Sequence, residues 1–273
     1  MRQAQHDSKG QDRWNQYGVR QLQDIKENPD RYIIRIAPIE HWTAYKKIMS
    51  LLDPLPGKRL LELGCGLGHF SVFLAQQGAK VTGLDLGPDL ISAATALAEL
   101  NHVDCEFRQG NITAHPFESN TFDTVIGLSV LHHLSMTDVP RALQEASRVL
   151  KANGVAIFYE PIENSKLFAF VQNLFPAGDK GSNDYRPSIL QRAAWDNYMQ
   201  MIDDRDMTNQ ELSTVGKNYF RSVSLFPYGF LIRLERLIGR QHHQKLVALD
   251  AFLFKIFPPM RYFNQGVLVA YWK

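Results

Sequence analysis

Three side chains of this sequence have the types and positions expected of acid-base catalysts. His132 and His133 directly follow one apolar, strand-like run, and Glu160 stands at the end of the next. An imidazole titrates at about pH 6.5, so a histidine can take a proton from a hydroxyl or an amine near neutral pH. These three residues are therefore the candidate catalytic residues. In the alternative interpretation, the histidines only brace a loop or touch a cofactor, and Glu160 holds the substrate or the neighbouring loop.

The paired histidines do not predict a metal site, because no third ligand stands at a useful spacing. The same holds for His242 and His243, which we expect at the solvated start of a helix. Cys65 and Cys105 are too few for a disulfide framework and lack metal-ligand spacing. We therefore expect no metal and a reducing compartment.

The stretch LLELGCGLG, residues 60–68, contains a glycine loop of the kind that binds nucleotides. Its pattern from Gly64 is G-x-G-x-G, and His69 stands where a dinucleotide-binding loop has its third glycine. The spacing is therefore wrong for a pyrophosphate, and no Gly-Lys-Ser/Thr follows to make a P-loop. Glycines at this spacing let the backbone approach a flat, cationic ligand, while the carboxylate of Glu62 complements positive charge.

Two further strand ends carry groups suited to a nucleoside. Asp85 follows the loop by about 20 residues, where an acidic side chain can accept hydrogen bonds from both hydroxyls of a ribose. The third strand ends at Asn111 and Ile112, where a polar side chain can meet an adenine edge and an aliphatic one its face. The sequence thus predicts a nucleoside site along the strand ends.

The elements that must position these groups alternate between apolar runs and helical patterns from about residue 40 to 160. Five strand-then-helix repeats predict an α/β fold with a parallel sheet and helices on both faces. In open sheets of this kind, ligands bind at the carboxyl ends of the strands. The predicted strands are 58–64, 79–86, 103–111, 121–131 and 154–161, and the predicted helices are 68–78, 87–100 and 138–150.

After Pro161 the pattern changes, and residues 162–218 are aromatic, polar and helical in patches. A stretch this long without strands predicts a helical insertion over the strand ends. The helix at 242–257 is unusually apolar; packing on the sheet or a dimer contact is favoured over an interfacial membrane contact. Strands are predicted at 218–228 and 265–273, with helices at 229–240 and 242–257 between them.

The composition of the chain argues against a nucleic-acid partner and against a membrane-spanning segment. The chain has 273 residues, a net charge of only +2, 45% apolar and 21% charged residues, so no nucleic-acid partner is expected. No apolar run reaches the roughly 18 residues of a spanning helix, and the N-terminus lacks the apolar core of a signal peptide. We expect a cytoplasmic protein, as a monomer or a homodimer.

Taken together and in order, five motifs resemble those of class I S-adenosylmethionine-dependent methyltransferases, in the small-molecule and ubiquinone-biosynthesis subgroup. The resemblance covers about residues 57–160 and implies a Rossmann-like, doubly wound, seven-stranded sheet with the last strand antiparallel. It implies S-adenosylmethionine as cofactor and S-adenosylhomocysteine as product. The motifs are LLELGCGLG (60–68), VTGLDL (81–86), GNI (110–112), FDTVIGLSVLHHL (122–134) and RVLKANGVAIFYEP (148–161).

The resemblance also implies which motif binds which part of the cofactor. The glycine loop lies beside the methionine part, and Asp85 takes the ribose with Leu86 against the adenine. The backbone around Leu128 and Ser129 closes the site. The family often has Asp where this chain has Asn111, whose carbonyl oxygen can still accept a hydrogen bond from the adenine amino group. The predicted cofactor-binding residues are Glu62, Gly64, Cys65, Gly66, Gly68, Asp85, Leu86, Asn111, Ile112, Leu128 and Ser129.

Specificity is expected outside the common core. Tyr17 and Tyr32 of an N-terminal helical lid are predicted to close over the cofactor or to line the acceptor pocket; alternatively they only pack the lid on the sheet. Tyr185, Trp195 and Tyr198 of the insertion are predicted acceptor contacts. The expected division of the chain is a cap at 1–56, a cofactor-binding core at 57–161, a substrate-binding insertion at 162–218, and the rest of the core sheet with interleaved helices at 219–273.

Methyl transfer from a sulfonium is an in-line displacement, in which the protein supplies alignment and exclusion of water. We expect a small-molecule acceptor, methylated on a hydroxyl of an aromatic, apolar or sugar-containing compound. Carbon or nitrogen methylation of a prenyl, quinone-like or amine acceptor is the main alternative. Two further alternatives are a NAD-dependent oxidoreductase and a non-catalytic cofactor-binding module. His69, in place of a third glycine, argues against the oxidoreductase.

Overall fold

A single seven-stranded sheet forms the centre of the molecule. The computed structural model describes residues 2–39, 44–166, 170, 173–176, 186–201, 207–234 and 240–273. The strands are β1 (Arg59–Leu63), β2 (Lys80–Asp85), β3 (Cys105–Gln109), β4 (Phe122–Leu128), β5 (Leu150–Pro161), β6 (Ser222–Tyr228) and β7 (Gly266–Trp272).

The strand order is β3-β2-β1-β4-β5-β7-β6. Strands β1 to β5 pair in parallel, whereas β7 runs antiparallel to both β5 and β6. This confirms the expected Rossmann-like sheet with an antiparallel last strand. Because β6 is antiparallel to β7, it runs in the same direction as β1 to β5, and its carboxyl end lies at the same edge of the sheet.

Eight α-helices surround this sheet within the described part of the chain. Helix α1 lies at the N-terminus, α3 to α5 connect the parallel strands, and α6 and α7 lie between β5 and β6. Among these helices, none is both long and apolar enough to cross a membrane. Their bounds are α1 Arg2–Glu27, α2 Tyr45–Leu52, α3 His69–Gln76, α4 Pro88–Leu100, α5 Asp138–Val149, α6 Arg192–Met201, α7 Asn209–Gly216 and α8 His243–Ile256.

Inside the predicted core the sequence places every strand and helix, and the differences lie at element ends. Strand β5 begins at Leu150, before the predicted start at 154, because Leu150 already pairs with Phe122 across an irregularity in the register. The predicted strand at 218–228 begins only at Ser222, since the chain first turns back on the end of α7.

The helix predicted at 229–240 is not found as such in the described residues. Residues Leu231–Leu234 form a short 3-10 turn, and Arg240–His242 form a second one that leads into α8. Residues 235–239 lie outside the described part. Gly229, at a φ of +82°, separates the first turn from β6 and sets the change of direction.

The strands bury both faces, as expected for a doubly wound sheet. Leu61 and Leu63 of β1 lie in a large cluster with α5, whereas Leu60 lies in a second cluster with α2 and α3. This is why the run RLLEL is almost continuously apolar.

Helix α1 packs on α4, close to the carboxyl edge of the sheet. A side chain at Gly18 has no room, since an added Cβ would lie 2.7 Å from the backbone of Asp89 and Leu90. Ile25, further along α1, is buried with Ala93 and Leu97 of α4. The N-terminal helix is thereby fixed beside the end of β2.

Candidate functional site

The glycine loop between β1 and α3 is held in a conformation that requires glycine. Gly64, Gly66 and Gly68 have φ values of +68°, +51° and +74°, in the left-handed region that L-side chains rarely adopt. At Gly64 an added Cβ would lie 2.5 Å from Val130, so this glycine also serves packing. At Gly66 nothing lies within 4 Å of an added Cβ, which leaves open space above the loop.

Asp85 ties this loop to the end of β2. Its Oδ2 accepts a hydrogen bond from the backbone N–H of Gly66 at 2.9 Å, and its Oδ1 accepts one from Gly87 at 3.0 Å. Burial raises the pKa of the Asp85 carboxyl, and these two hydrogen bonds oppose that rise. Each carboxylate oxygen retains a lone pair for a further donor, such as a ligand hydroxyl.

Glu62 is a buried acid directly below the loop. Its side chain accepts a short hydrogen bond from the hydroxyl of Ser71 on α3. Burial raises the pKa of the Glu62 carboxyl to about 7, although the Ser71 hydrogen bond opposes the rise. A positive group above the loop would stabilise the carboxylate, so this side chain suits a cationic ligand.

Glu160, at the end of β5, holds the turn that follows β4. It is fully buried, and its carboxylate accepts hydrogen bonds from the backbone N–H groups of Val130 at 3.1 Å, Leu131 at 2.9 Å and His132 at 3.4 Å. The Nδ1 of His132 lies 2.7 Å from Glu160 Oε2 and must donate to it, because a carboxylate only accepts.

This geometry concerns two of the predicted catalytic residues, Glu160 and His132, whose roles stay predictions. Glu160 and the Nδ1 of His132 are committed to each other in a buried hydrogen-bond network. They fit the alternative interpretation, in which they brace the loop. Ser129 completes the turn, with a φ of +56° and its N–H donating to Tyr159 O at 2.7 Å.

His133 differs from His132 because it is exposed. Its ring centroid lies 4.0 Å from that of His132 and 6.4 Å, edge to face, from that of Trp14 on α1. Burial is the largest influence on the pKa of Asp85 and raises it, and the interaction with His133 is the smallest of those that lower it. His133 thus lies on the solvent side of the turn after β4, next to Trp14.

At the predicted adenine end, the Asn111 carbonyl oxygen is already occupied. It accepts hydrogen bonds from the backbone N–H of Thr113 at 2.9 Å and from the Thr113 hydroxyl at 2.8 Å. In this turn the amide Nδ2 is the group left to face a ligand. A contact between Asn111 and the adenine stays a prediction. Ile112 is buried in the core cluster, whereas Leu86 is exposed.

Three residues near the site were not predicted from the sequence: Trp14 and Asn15 on α1, and Ser71 on α3. Trp14 contacts His133, and Ser71 holds Glu62. Asn15 has a buried Oδ1 without a hydrogen-bond partner among the described residues, 3.0 Å from where a Cβ on Gly87 would stand. No local signal marks these residues, because only the docking of α1 and α3 brings them to the strand ends.

Two of the predicted acceptor-binding residues, Tyr17 and Tyr32, contact residues of helix α1. Tyr17 packs edge to face on Trp14, with ring centroids 6.0 Å apart. The Tyr32 hydroxyl donates to Gln21 and Asp24 of α1, and burial with the Asp24 hydrogen bond raises the pKa of Tyr32 to about 12. This fits the alternative in which Tyr32 packs the N-terminal segment.

Within the insertion, Trp195 and Tyr198 contact each other on α6, with ring centroids 5.7 Å apart. Tyr185 lies outside the described residues. An acceptor contact by any of these three stays a prediction. Among the described residues, no group of three or more His, Cys, Asp or Glu side chains could hold a metal ion.

The chain is similar to known methyltransferases. Residues 61–158 match the family model of the methyltransferase domain. The chain is 29% identical over 177 residues to a ubiquinone biosynthesis O-methyltransferase of Vibrio parahaemolyticus, covering 63% of this chain and 72% of that protein. It is 30% identical over 175 residues to the protein of the same name from Paracidovorax citrulli, covering 59% and 71%.

The fold is shared with the solved magnesium protoporphyrin IX methyltransferase of Synechocystis PCC 6803, which was solved with bound S-adenosylhomocysteine. The TM-score is 0.57 at 13% identity, over 98% of this chain and 99% of that one. The chain belongs to the class I S-adenosylmethionine-dependent methyltransferases. The expected enzyme class, fold and cofactor are confirmed, and the oxidoreductase and non-catalytic alternatives are set aside.

Proposed function

We propose that this enzyme methylates a hydroxyl of a small-molecule acceptor and that His133 is the general base. The supporting observation is the contrast between the two histidines. His132 is buried and hydrogen-bonded to Glu160, whereas His133 is exposed and its ring contacts that of Trp14. Relatives at about 30% identity are named as O-methyltransferases, which supports oxygen as the acceptor atom.

The methionine end of the cofactor is proposed to lie over Gly66, where the loop leaves open space. Gly64, Cys65 and Gly68 shape this loop, and the Glu62 carboxylate below it complements the positive charge of the amino acid part. The cofactor supplies an electrophilic methyl group on its sulfonium. The chain itself binds, orients and shields the reacting groups.

The nucleoside end is proposed to lie between α1 and the ends of β2 and β3. Asp85 accepts hydrogen bonds from the ribose hydroxyls through its remaining lone pairs. Leu86 and Ile112 flank the adenine, and Asn111 donates to it from Nδ2. The backbone at 128–129 closes the site.

The proposed role of His133 is to accept the proton of the acceptor hydroxyl as its oxygen attacks the methyl carbon. When bound, the cofactor would supply the methyl group and retain on its sulfur the electron pair of the broken carbon–sulfur bond. The His133 imidazole would release the proton to solvent. Glu160 and His132 are positioning residues, because they fix the turn that carries His133. We also propose that the enzyme acts in the cytoplasm, since its two cysteines, Cys65 and Cys105, form no disulfide.

The rim around His133 supports an acceptor with an apolar or planar part. Trp14, which contacts His133, is a large exposed apolar side chain, and Leu86 after β2 and Met136 after His133 are exposed as well. Such a rim suits an aromatic, apolar or sugar-containing hydroxyl compound. Carbon or nitrogen methylation of a prenyl, quinone-like or amine acceptor is the competing assignment.

His133→Asn tests the base, with His102→Asn as the matched control, since His102 is also exposed but lies in the turn after α4. Removal of a general base lowers turnover by about 100-fold or more. We expect that loss for His133→Asn, with cofactor affinity unchanged within about threefold, and wild-type behaviour for His102→Asn. Normal turnover in His133→Asn would refute the role.

A further inference from the structure

The segment between β6 and β7 lies at the functional edge of the sheet. Because β6 runs parallel to β1 and β2, its carboxyl end points the same way as Asp85. Helix α8 belongs to this segment and packs inward through Leu246, Asp250 and Phe254, which are buried. The Asp250 carboxylate accepts a hydrogen bond from the backbone N–H of Leu231 at 2.6 Å.

The opposite side of α8 and the turn after it present an apolar surface. Leu249, Phe252 and Ile256 recur at a spacing of three and four residues, which places them on one side of the helix. Their side chains, with those of two residues that follow, are 46% to 69% exposed. We call this surface the outer stripe: Leu249, Phe252, Ile256, Phe257 and Tyr262.

Positive charge accompanies the outer stripe. Lys245 and Lys255 of α8 are exposed, and neither forms an ion pair with a described acid. Residues 229–263 contain six Lys or Arg and two Asp or Glu, which is net +4. The whole chain has 30 and 28, so the remainder has 24 and 26, which is net −2. Of the two acids, Asp250 points into the protein.

We propose that the outer stripe docks on the surface of an anionic phospholipid bilayer. An amphipathic helix with aromatic and aliphatic residues on one side and lysines beside them lies in the plane of the headgroups. Each lysine near an anionic surface contributes about 1 kcal/mol, which is about fivefold in binding. The functional edge of the sheet then lies near the membrane.

Charge argues for lipid over a second copy of the chain. A two-fold dimer through the outer stripe would place the same patch on both partners, so Lys245 and Lys255 of one copy would face those of the other. An anionic surface complements that charge instead.

Binding of the full chain to phosphatidylcholine vesicles, with and without phosphatidylglycerol, tests the proposal. No methyl acceptor is added, so the result is independent of the proposed function. We expect binding only to the anionic vesicles, weakened by high salt. Loss of partly exposed aromatic and aliphatic area should make Phe252→Ser with Ile256→Ser bind at least about tenfold more weakly. Ile36→Ser, at another exposed apolar side chain, is the control.

The charge variant is Lys245→Gln with Lys255→Gln, expected to bind about 25-fold more weakly; Lys46→Gln with Lys217→Gln is its control. Unchanged cofactor affinity verifies that each variant is folded. Equal binding to neutral and anionic vesicles, or no loss in the stripe variants, would overturn the proposal. So would a concentration-dependent dimer that the stripe variants abolish and that binds no vesicles, because the stripe would then be a dimer interface.

Discussion

Replacing the buried acid below the glycine loop, Glu62→Gln, should change stability in a pH-dependent way. The pKa of Glu62 is raised by burial from 4.5 to about 7. At 1.36 kcal/mol per pKa unit, this corresponds to about 3 kcal/mol. A raised pKa means that the folded state binds the proton more tightly than the unfolded state. The associated stability is present below about pH 4.5 and is lost as the pH rises through about 7.

Glutamine has nearly the same shape and still accepts from Ser71 through its amide oxygen, but it does not titrate. The free energy of unfolding of Glu62→Gln, measured relative to wild type without cofactor, should therefore increase by about 3 kcal/mol between pH 4.5 and 8. Urea unfolding at several pH values measures it, and the exposed Glu118→Gln is the matched control.

The same variant should bind S-adenosylmethionine more weakly at pH 8, by about 1.5–3 kcal/mol, because a charge-assisted contact is lost. Calorimetric titration measures this affinity. A stability difference that stays flat with pH would refute the raised pKa. Unchanged cofactor affinity would refute the placement of a positive group over the loop.

The remaining predictions concern the nucleoside end and the turn after β4. Asp85→Ala should weaken cofactor binding by about 1–3 kcal/mol in calorimetry, and unchanged affinity would mean that the ribose lies elsewhere. Asn111→Asp should also weaken binding, because the carboxylate keeps the bonds from Thr113 but loses the Nδ2 donor; tighter binding would contradict this. Glu160→Gln should lower the free energy of unfolding by at least about 2 kcal/mol, since a single amide oxygen cannot satisfy the buried donors. Urea unfolding measures this, and an unchanged midpoint would argue against the hydrogen-bond network of Glu160 and His132.

The core fold was predictable because its signals are local. Buried parallel strands give continuous apolar runs such as RLLEL, and the glycines at 64, 66 and 68 mark backbone that no other residue tolerates. The turn at Asn111 was not predicted, although Asn followed two residues later by Thr favours a local side-chain turn. The starts of β5 and β6 were misplaced because register and turns there depend on neighbouring strands.

The roles of the site residues depend on tertiary contacts. Glu160 and His132 lie 28 residues apart, and only the parallel pairing of β4 with β5 brings the carboxylate under the turn. Asn15 and Trp14 reach the site because α1 docks on α4 at Gly18. A sequence pattern shows which residue types stand at the strand ends. It does not show which of their hydrogen-bonding groups are already occupied by other groups of the protein.

Transfer of a labelled methyl group tests the central proposal most directly. The enzyme would be supplied with methyl-deuterated S-adenosylmethionine and a panel of hydroxylated aromatic, sugar and prenylated compounds, with amines as comparison. Mass spectrometry would locate the label in the product. We predict label on an acceptor oxygen, with a rate that falls by about 100-fold in His133→Asn. Label found on carbon or nitrogen, or oxygen labelling at the wild-type rate in His133→Asn, would contradict the account.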